Sequence, residues 1–467
     1  MTSTPLPRIR VRRSALSTIA ATEPAVVGSG RRQIVYRSPS ELKPARALRK
    51  HEKRQREHLE RNLRCFGCVC PILIERDGTI VDGSAVAAAA KAIGLAEIPT
   101  VTLDGLSEIE IRALRISLNK VQEMSSWDEN QLKVELIELA EIDIEILTFT
   151  AFSTQEIDII LNPPPGEDEE DPDDEVSVSA GPAVSELGDL WIFKRGHRLA
   201  CGSALDPQLY TLLMGNSRAR LVFSDPPFNL KIAGNVSRRP GVREFAAASG
   251  EMSPAEFTEF LRQAFELGAQ HALDGSMHLH FMDWRHVEEM MAAGRSAYTE
   301  LKNVIVWAKS NAGMGSLWRS QHELVFAWKH GTASHVNNVD LGRHGRWRSN
   351  VWSYGSSNAF GRHRDSDLAG HVTPKNVAMI QDAILDVTHP GDVVLDNFAG
   401  AGTTLVAAHR AKRIGFGSDI DPLYVDTAVC RLEELVGEPA RHAGTGKTFA
   451  ETAALRRQAL SPTTNAA

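Results

Sequence analysis

The sequence has few cysteines and no long apolar run, and each absence excludes a class of protein. Only 5 of its 467 residues are cysteine, an odd number that argues against a disulfide framework and is typical of a reducing compartment. No stretch approaches the ~20 consecutive apolar residues of a membrane-spanning helix, and the first residues lack the apolar core of a secretion signal. We therefore expect no membrane segment and a cytoplasmic location.

Three of the cysteines lie close together, at Cys65, Cys68 and Cys70. Thiolates at such short spacing can share a metal ion, but a zinc site normally needs a fourth ligand and the sequence has no second cysteine pair. We therefore expect no metal site, and we interpret these residues as small buried thiols beside a strand.

Charge is unevenly distributed along the chain, which has a formal net charge of -7. Residues 1–64 contain sixteen Lys and Arg against five Asp and Glu, and their first part, residues 1–37, is predicted to be a flexible basic arm. A basic end can hold phosphates, and it can equally be a solvated tail and helix face. Residues 162–184 are rich in Pro, Gly and acid, which predicts a linker because they cannot bury enough apolar area to order themselves.

Residues 38–161 are predicted to form a small α/β domain. A charged helical pattern runs from Glu41 to Arg64, and PILIERDGTIVDG then predicts two short strands around the Asp77-Gly78 turn. An alanine-rich helix ending at Gly94, the strand IPTVTL and further helices complete the domain.

Residues 185–450 alternate short apolar runs with helical patterns. This alternation predicts a mostly parallel sheet with helices on both faces. A helix start is marked by Ser253 and Pro254, and another helix should run from Pro422 to near Gly437. Residues 451–467 are interpreted as a tail. The predicted strands are LVFS, SMHLHF, NVIVWA, ELVFAW, VVLD and IGFGSDI.

VVLDNFAGAGTT, at 393–404, is a predicted strand that leads into a glycine-rich turn and a helix. Such a turn lets a ligand approach the backbone, and N–H groups at a helix start hold negatively polarised groups. Asp419 ends the next strand, at the spacing where an acid binds the hydroxyls of a cofactor ribose. A nicotinamide dinucleotide would need a third glycine where Leu405 stands. The pattern therefore indicates a different nucleoside cofactor.

A second pattern, DPPF at 225–228, follows the strand LVFS. Proline restrains its own backbone and that of the preceding residue, so this is a stiff extended arch whose carbonyls have no internal partners. The carboxylate of Asp225 and the carbonyl of Pro226 could each accept a hydrogen from an exocyclic amine, and Phe228 offers a flat face for a base. Acceptors placed in this way stabilise the positive charge that develops when an amine attacks.

Taken together, DPPF, FAGAGTT at 398–404, HVTPK at 371–375 and the strand pair between them resemble the β group of amino-group DNA methyltransferases. The resemblance implies a Rossmann-like methyltransferase fold, S-adenosylmethionine as cofactor and double-stranded DNA as partner, and it leaves a homodimer open. It implies that the target amine is held by Asp225, Pro226, Pro227 and Phe228. The residues that it assigns to the cofactor are Asp396, Phe398, Ala399, Gly400, Gly402, Thr403 and Asp419, with Thr373 and Lys375 near the methionine end.

The reaction implied is direct transfer of a methyl group to a base that has been flipped out of the duplex. Asp before Pro-Pro favours the N6 amine of adenine, with the N4 amine of cytosine as the alternative. The usual family residues are replaced at Asn397, at Asn376, where proline is expected, and at Phe228, where tyrosine is commoner. These departures keep open a catalytically inactive DNA-binding regulator of the same fold. Whether a restriction enzyme is paired with the chain also stays open.

Residues 338–370 interrupt the alternation and mix arginines with aromatic residues, so we predict a target-recognition region there. A solvated loop packed by its own aromatic residues is the alternative. The predicted DNA-binding residues are Arg343, Arg346, Arg348, Arg362 and Arg364.

Residues 38–150 resemble the ParB/sulfiredoxin-like domain through ELKP, PILIERDGTIVDG and AAKAIGLAEIPTV. That family commonly has Gly-His-x-Arg after the strand, whereas this chain has Gly83-Ser84-Ala85-Val86. The groups most suited to phosphate chemistry are therefore missing. We expect no nuclease or nucleotidase activity here, and a role in binding DNA or a partner.

Overall fold

The computed structural model of the protein describes residues 32–45, 52–162, 176, 181–230, 248–309, 317–342, 346, 348–355 and 375–460. The chain divides into two compact units. The first comprises Met1–Asp128 with Phe149–Ala151, and the second comprises Glu129–Thr148 with Phe152–Ala467.

The first unit is a four-stranded sheet with helices. Its strand order is β1-β4-β2-β3, with β2 and β4 parallel and the other two pairs antiparallel. Gly78 has a φ of 85° in the turn between β2 and β3, so the predicted hairpin is present. The elements are β1 (Ile34–Arg37), α1 (Lys53–Phe66), β2 (Ile72–Ile74), β3 (Ile80–Asp82), α2 (Ser84–Ala92), β4 (Ile98–Thr102) and α3 (Glu108–Val121).

Two details of the first unit differ from the sequence prediction. The described charged helix begins at Lys53 and not at Glu41, because Lys43 pairs with the hairpin turn: its N–H donates to the Gly78 carbonyl at 2.9 Å. The thiols of Cys65 and Cys70 are exposed and that of Cys68 is half-buried, so the expectation of buried thiols was wrong.

The second unit is built around a ten-stranded sheet, whose order is β11-β9-β10-β8-β7-β12-β13-β6-β5-β14. Its strands are β5 (Leu190–Ile192), β6 (Arg198–Cys201), β7 (Ala219–Ser224), β8 (Ala272–Met282), β9 (Glu300–Lys309), β10 (His322–Lys329), β11 (Val351–Tyr354), β12 (Val393–Asp396), β13 (Ile414–Asp419) and β14 (Arg441–His442). Its helices are α4 (Glu129–Ile142), α5 (Thr154–Leu161), α6 (Pro207–Met214), α7 (Pro254–Gln270), α8 (Val287–Ala297), α9 (Val377–Val387), α10 (Thr403–Arg410), α11 (Pro422–Val436) and α12 (Phe449–Leu460).

The centre of this sheet is parallel, as the alternating sequence pattern predicts. β8, β7, β12, β13 and β6 run in the same direction, whereas β10 pairs antiparallel with both β8 and β9. The central strands are buried on both faces: the adjacent residues Leu221 and Val222 of β7, whose side chains point to opposite faces, are 0% and 1% exposed. Because the carboxyl ends of parallel strands meet at one edge, this topology collects the loops after β7, β12 and β13 there.

The two predicted helix starts are confirmed. Ser253 accepts a hydrogen bond from the N–H of Glu256, and the Glu256 side chain bonds back to the N–H of Ser253, which completes a capping box before α7. Asp421 caps α11 by accepting a hydrogen bond from the N–H of Leu423, and the helix ends at Gly437, which has a φ of 75°.

The boundaries of the units differ from the predicted domain limits. Residues 129–148 and 152–161 cluster with the second unit, where the buried carboxylate of Asp158 accepts from Arg413 at 2.8 and 2.9 Å. At the other end, the predicted tail from residue 451 begins inside α12. Arg456 of that helix is bonded to Asp189, so this part of the chain packs on the sheet. No helix among the described residues is long and apolar enough to cross a membrane.

Candidate active site

The edge of the sheet where β7, β12 and β13 end carries the two sequence patterns that were predicted to act together. Leu395 of β12 lies beside Val222 of β7 on one side and Phe416 of β13 on the other. The loop that begins at Asp225 is therefore next to the loop that begins at Asn397. Two segments far apart in sequence form one site because their strands are neighbours.

Asp225 is held by a lysine that lies between two carboxylates. The Lys375 ammonium is 2.9 Å from Oδ2 of Asp225 and 2.9 Å from Oε2 of Glu323. The second oxygen of Glu323 is bonded to Lys309. Lys375 also faces aromatic rings, since its Nζ lies 4.9 Å from the ring centroid of Phe281. Asp225 is thus the end of an alternating chain of charges, with its orientation set by Lys375.

This arrangement shifts the pKa values of all three charged groups. Burial raises the pKa of Asp225, an effect that Lys375 opposes and Glu323 reinforces. For Lys375, the two carboxylates outweigh burial and raise the pKa above its ordinary value. Burial would raise the pKa of Glu323, but Lys375 and Lys309 together lower it to about 2. Lys375 and Glu323 therefore stay charged at neutral pH, while Asp225 is the carboxylate of this chain of charges whose pKa moves upward, toward neutral pH.

One oxygen of Asp225 remains available. Its Oδ1 is buried and has no hydrogen-bond partner among the described residues, whereas Oδ2 is bound to Lys375. Buried acceptors are usually satisfied, and an unsatisfied one at a site of this kind indicates a missing donor. Pro226 is buried and Phe228 half-buried beside it.

The chain beyond Phe228 is anchored by Asn229, which has a φ of 52°. Its side-chain amide donates to the Met252 carbonyl at 2.8 Å, and its oxygen accepts from the N–H groups of Gly250 and Met252 at 3.0 and 3.2 Å. A short polar side chain tolerates this left-handed backbone better than a bulky one does. Asn229 therefore fixes the position at which the DPPF arch ends.

The glycine-rich turn after β12 has the conformation that its sequence predicts. Gly400 and Gly402 have φ values of 50° and 81°, and Gly402 is the N-cap of α10. A Cβ atom at Gly402 would lie 2.9 Å from the Cβ of Ala428, so a larger residue is excluded by space as well as by conformation.

Two carboxylates stabilise this turn. Asp396 accepts from the N–H of Phe398 at 3.0 Å and from the hydroxyl of Thr404 at 2.5 Å. Asp419 accepts from the N–H groups of Gly400 and Asp421, each at 2.9 Å. Burial raises the pKa of Asp396 to about 7 and that of Asp419 to about 6, although these hydrogen bonds oppose the shift. Asp396, at the end of β12, and Asp419, at the end of β13, therefore both hold the glycine-rich turn in place.

Asn397, which was noted only as a departure from the family pattern, connects the two loops. Its Oδ1 accepts from the hydroxyl of Ser224 at 2.5 Å, and its Nδ2 donates to the hydroxyl of Tyr210 at 2.9 Å. The Tyr210 hydroxyl in turn donates to the Ala204 carbonyl at 3.0 Å. Ser224 directly precedes Asp225, so this buried chain of hydrogen bonds joins the end of β7 to the end of β12.

Sequence reasoning missed Ser224, Asn397, Glu323 and Lys309 as parts of the site. Glu323 had a visible signal, since it is the one acid in the otherwise apolar run ELVFAW. Asn376, the residue that stands where the family has proline, has a local role. Its side chain caps α9 by accepting a hydrogen bond from the N–H of Met379 at 2.9 Å. Of the predicted site residues, Thr373, Arg343, Arg362 and Arg364 lie outside the described part of the chain.

Arg346 and Arg348, predicted to contact DNA, are instead engaged inside the second unit. Arg346 is 9% exposed and lies 3.0 Å from Asp382 and 2.9 Å from Asp386. Arg348 lies 3.0 Å from Asp386 and is also bonded to Tyr354. Their guanidinium groups neutralise acids on α9, and their contact with DNA stays a prediction.

Comparison with known proteins agrees with this site. Residues 219–429 match the N6_N4_Mtase family model, described as DNA methylase. The type II methyltransferase M.HinfI of Haemophilus influenzae is 25% identical over 246 residues, which cover 48% of this chain and 66% of that protein. The type II methyltransferase M.BglII of Bacillus subtilis is 35% identical over 95 residues, 20% of this chain and 24% of that protein. The chain thus spans less than two thirds of either relative.

Solved structures of low sequence identity are also similar to parts of the chain. The M1.HpyAVI–SAM complex is 18% identical with a TM-score of 0.38, and the match covers 50% of this chain and 98% of that one. The PvuII DNA methyltransferase, described as cytosine-N4-specific, is 12% identical with a TM-score of 0.36 and covers 60% and 95%. The chromosome-partitioning protein ParB from Caulobacter crescentus, complexed with CTP-gamma-S, is 19% identical with a TM-score of 0.26 and covers 29% and 81%.

The family match includes both the Asp225 loop and the Gly400 loop. The second unit therefore carries, over residues 219–429, a domain that matches the N6/N4 DNA methylase family model.

Proposed function

We propose that this chain is an S-adenosylmethionine-dependent DNA methyltransferase that modifies the N6 amine of an adenine flipped out of double-stranded DNA. The observation that carries the proposal is the state of Asp225. One carboxylate oxygen is held by Lys375 at 2.9 Å, while the other is buried without a partner among the described residues. An amine hydrogen is the donor that this second oxygen lacks.

The residues at the glycine-rich turn fit a nucleoside cofactor with a sulfonium group, which supplies the methyl group when bound. Asp419 ends β13 and keeps its carboxylate at the turn by accepting from Gly400 at 2.9 Å, so its remaining lone pairs can accept from ribose hydroxyls. The absence of side chains at Gly400 and Gly402 lets the cofactor approach the backbone. Phe398, Ala399 and Thr403 belong to the same turn, and Asp396 keeps it closed.

In the proposed reaction, Asp225 Oδ1 and the Pro226 carbonyl accept the two hydrogens of the target amine. These bonds favour the pyramidal form of the nitrogen, whose lone pair forms the new C–N bond while the C–S electron pair returns to sulfur. The methylated nitrogen is then cationic and loses one proton, to Asp225 or to solvent. Asp225 is suited to accept it because burial raises its pKa.

The flat ring of Phe228 is proposed to hold the base. Flipping costs a few kcal/mol, and stacking on an aromatic ring contributes roughly 1–3 kcal/mol. Phe228 packs against two hydrophobic clusters of the second unit, so these contacts restrain its ring before a base arrives. A preorganised ring reduces the entropy lost on binding.

Transfer of tritium from labelled S-adenosylmethionine to unmethylated DNA, followed by nucleoside analysis, tests the proposal. Labelled N6-methyladenine supports it. Labelled N4-methylcytosine selects the alternative, since Asp225 and Pro226 could serve either amine. Cofactor binding without transfer to any DNA would instead indicate an inactive regulator of the same fold.

For the first unit we propose DNA or partner binding without hydrolytic activity. Gly83, where a phosphate-binding signature would begin, has a φ of 90° before α2, and a Cβ there would lie 2.6 Å from the Ile72 side chain. This glycine is therefore explained by packing. Hydrolysis of CTP or cleavage of plasmid by the full chain, lost on deletion of residues 1–128, would contradict this proposal. A homodimer and a cytoplasmic location remain proposals that sedimentation and fractionation can test.

A further inference from the structure

Two large apolar side chains are exposed on the connection between β9 and β10. Leu317 is 81% exposed and Trp318 is 82% exposed. Arg319 beside them is exposed as well. Full burial of a tryptophan removes ~150–250 Å² from water, so an open leucine and tryptophan side by side indicate a surface that another molecule covers.

The connection is tied to the active site at its base. The N–H of Lys309 donates to the Gln321 carbonyl at 2.9 Å, and the Gln321 side chain donates to the Lys309 carbonyl at 2.9 Å. Lys309 is also bonded to Glu323, which binds Lys375 and, through it, Asp225. Leu317 and Trp318 thus lie at the end of the β9–β10 hairpin where Lys309 and Glu323 meet. Glu323 is connected from there, through Lys375, to Asp225.

The distance that the chain can cover limits where Trp318 can be. Trp318 is five residue steps along the chain from Glu323, and an extended chain covers at most ~3.6 Å per step, or ~18 Å in all. Base pairs in a duplex are stacked about 3.4 Å apart, so this reach corresponds to about five base steps. A duplex whose target base lies at Asp225 therefore passes within reach of Trp318.

We propose that Trp318, supported by Leu317, inserts into the duplex at the position that the target base leaves. The inference rests on the proposed function. Removal of a base unstacks its neighbours, and a flat indole can restore those contacts, as apolar wedges do in other duplex distortions. Arg319 adds a positive charge suited to an adjacent phosphate. A second copy of the chain on this surface would obstruct access to Asp225, so DNA is the occupant that the location favours.

The test uses the full chain and the variants Trp318→Ala, Trp318→Phe and Leu317→Ala. Leu455→Ala is the matched control for Leu317→Ala, because Leu455 is also exposed, at 46%, but lies on α12, beside β14 at the opposite edge of the sheet from β9 and β10. The target sequence is first mapped by sequencing DNA methylated by the wild type. A duplex with 2-aminopurine at the target position then reports flipping by its fluorescence, in the presence of S-adenosylhomocysteine.

We expect Trp318→Ala to reduce the fluorescence increase and to weaken duplex binding by ~5- to 150-fold, the range that corresponds to loss of one stacked ring. Trp318→Phe should retain most of the effect. An abasic target site should largely restore binding by Trp318→Ala, because less stacking is then lost on flipping. Cofactor affinity should be unchanged in all variants, which shows that they are folded.

Equal fluorescence and equal duplex affinity for Trp318→Ala and the wild type would overturn the inference, provided that the wild type methylates DNA. A change of sedimenting mass in Trp318→Ala would overturn it too, since the occupant would then be a second copy. Failure of the wild type to methylate any DNA would instead refute the proposed function, so the two failures are distinguishable.

Discussion

Replacement of Lys375 by methionine should move the acid limb of the methylation pH profile to higher pH. Lys375 lies 2.9 Å from Asp225, and its charge opposes the rise that burial causes in the Asp225 pKa. Without that cation the carboxylate is harder to ionise. The ionised form is the one that accepts two amine hydrogens most strongly, so activity should appear only at higher pH.

The size of the shift follows from the geometry. Unit charges at ~4 Å attract by about 4 kcal/mol at an effective dielectric of ~20. The Asp225 side chain is 36% exposed, and solvent screening reduces this attraction by about half. An interaction of ~2 kcal/mol corresponds to a shift of ~1–2 pH units.

The assay is the rate of methyl transfer across pH at saturating cofactor, with cofactor binding as the check on folding. Glu323→Gln is the informative companion, because Glu323 raises the Asp225 pKa and its neutralisation should move the acid limb to lower pH. Lys309→Met should have a smaller effect than Lys375→Met, since Lys309 is bonded to Glu323 and not to Asp225. An unchanged acid limb in Lys375→Met, or one moved to lower pH, would refute the reasoning.

Four further outcomes can be checked. Asp225→Ala should reduce transfer by ~10²-fold or more while leaving cofactor affinity largely intact, as measured by calorimetry. Asn397→Leu removes the acceptor of the buried Ser224 hydroxyl and the donor to the Tyr210 hydroxyl, so the free energy of unfolding in urea should fall by ~1–3 kcal/mol; an unchanged value would mean that the link is unimportant. Gly402→Ala should raise KM for the cofactor, because a Cβ placed 2.9 Å from Ala428 at a φ of 81° displaces the turn; an unchanged KM would contradict the need for glycine at this position. Arg346→Ala should lower the free energy of unfolding by ~1–3 kcal/mol, because the buried acids of α9 lose one of two guanidinium partners and keep Arg348; a loss confined to salt-dependent DNA affinity would instead support the DNA-contact prediction.

Much of the fold was predictable because its signals are local. Helix starts at Ser253 and Asp421 depend on side chains that bond to the backbone two or three residues away, and the glycine turn depends on φ angles that other residues resist. Alternation of apolar strands and helices was enough to predict the parallel centre of the sheet. The DPPF and FAGAGTT patterns could also be located directly, since backbone restraint by proline and freedom of glycine act within a few residues.

The site as a whole could not be assembled from such signals. Asn397 was read as a departure from a pattern, and its role became visible only when Ser224 and Tyr210 were found beside it. The ion pairs of Arg346 with Asp382 and Asp386 could not be predicted, because residue type alone does not reveal which carboxylates the fold brings near an arginine.

By itself, then, the sequence determined where strands end, where turns form and which residues can carry the chemistry of an amine and a nucleoside cofactor. The tertiary structure decided which of these residues meet. Glu323, Lys375 and Asp225 form one line of charges because β10 and α9 are placed near the end of β7. The physical reason is that Coulomb and hydrogen-bond interactions act over a few ångströms of space, whatever the separation along the chain.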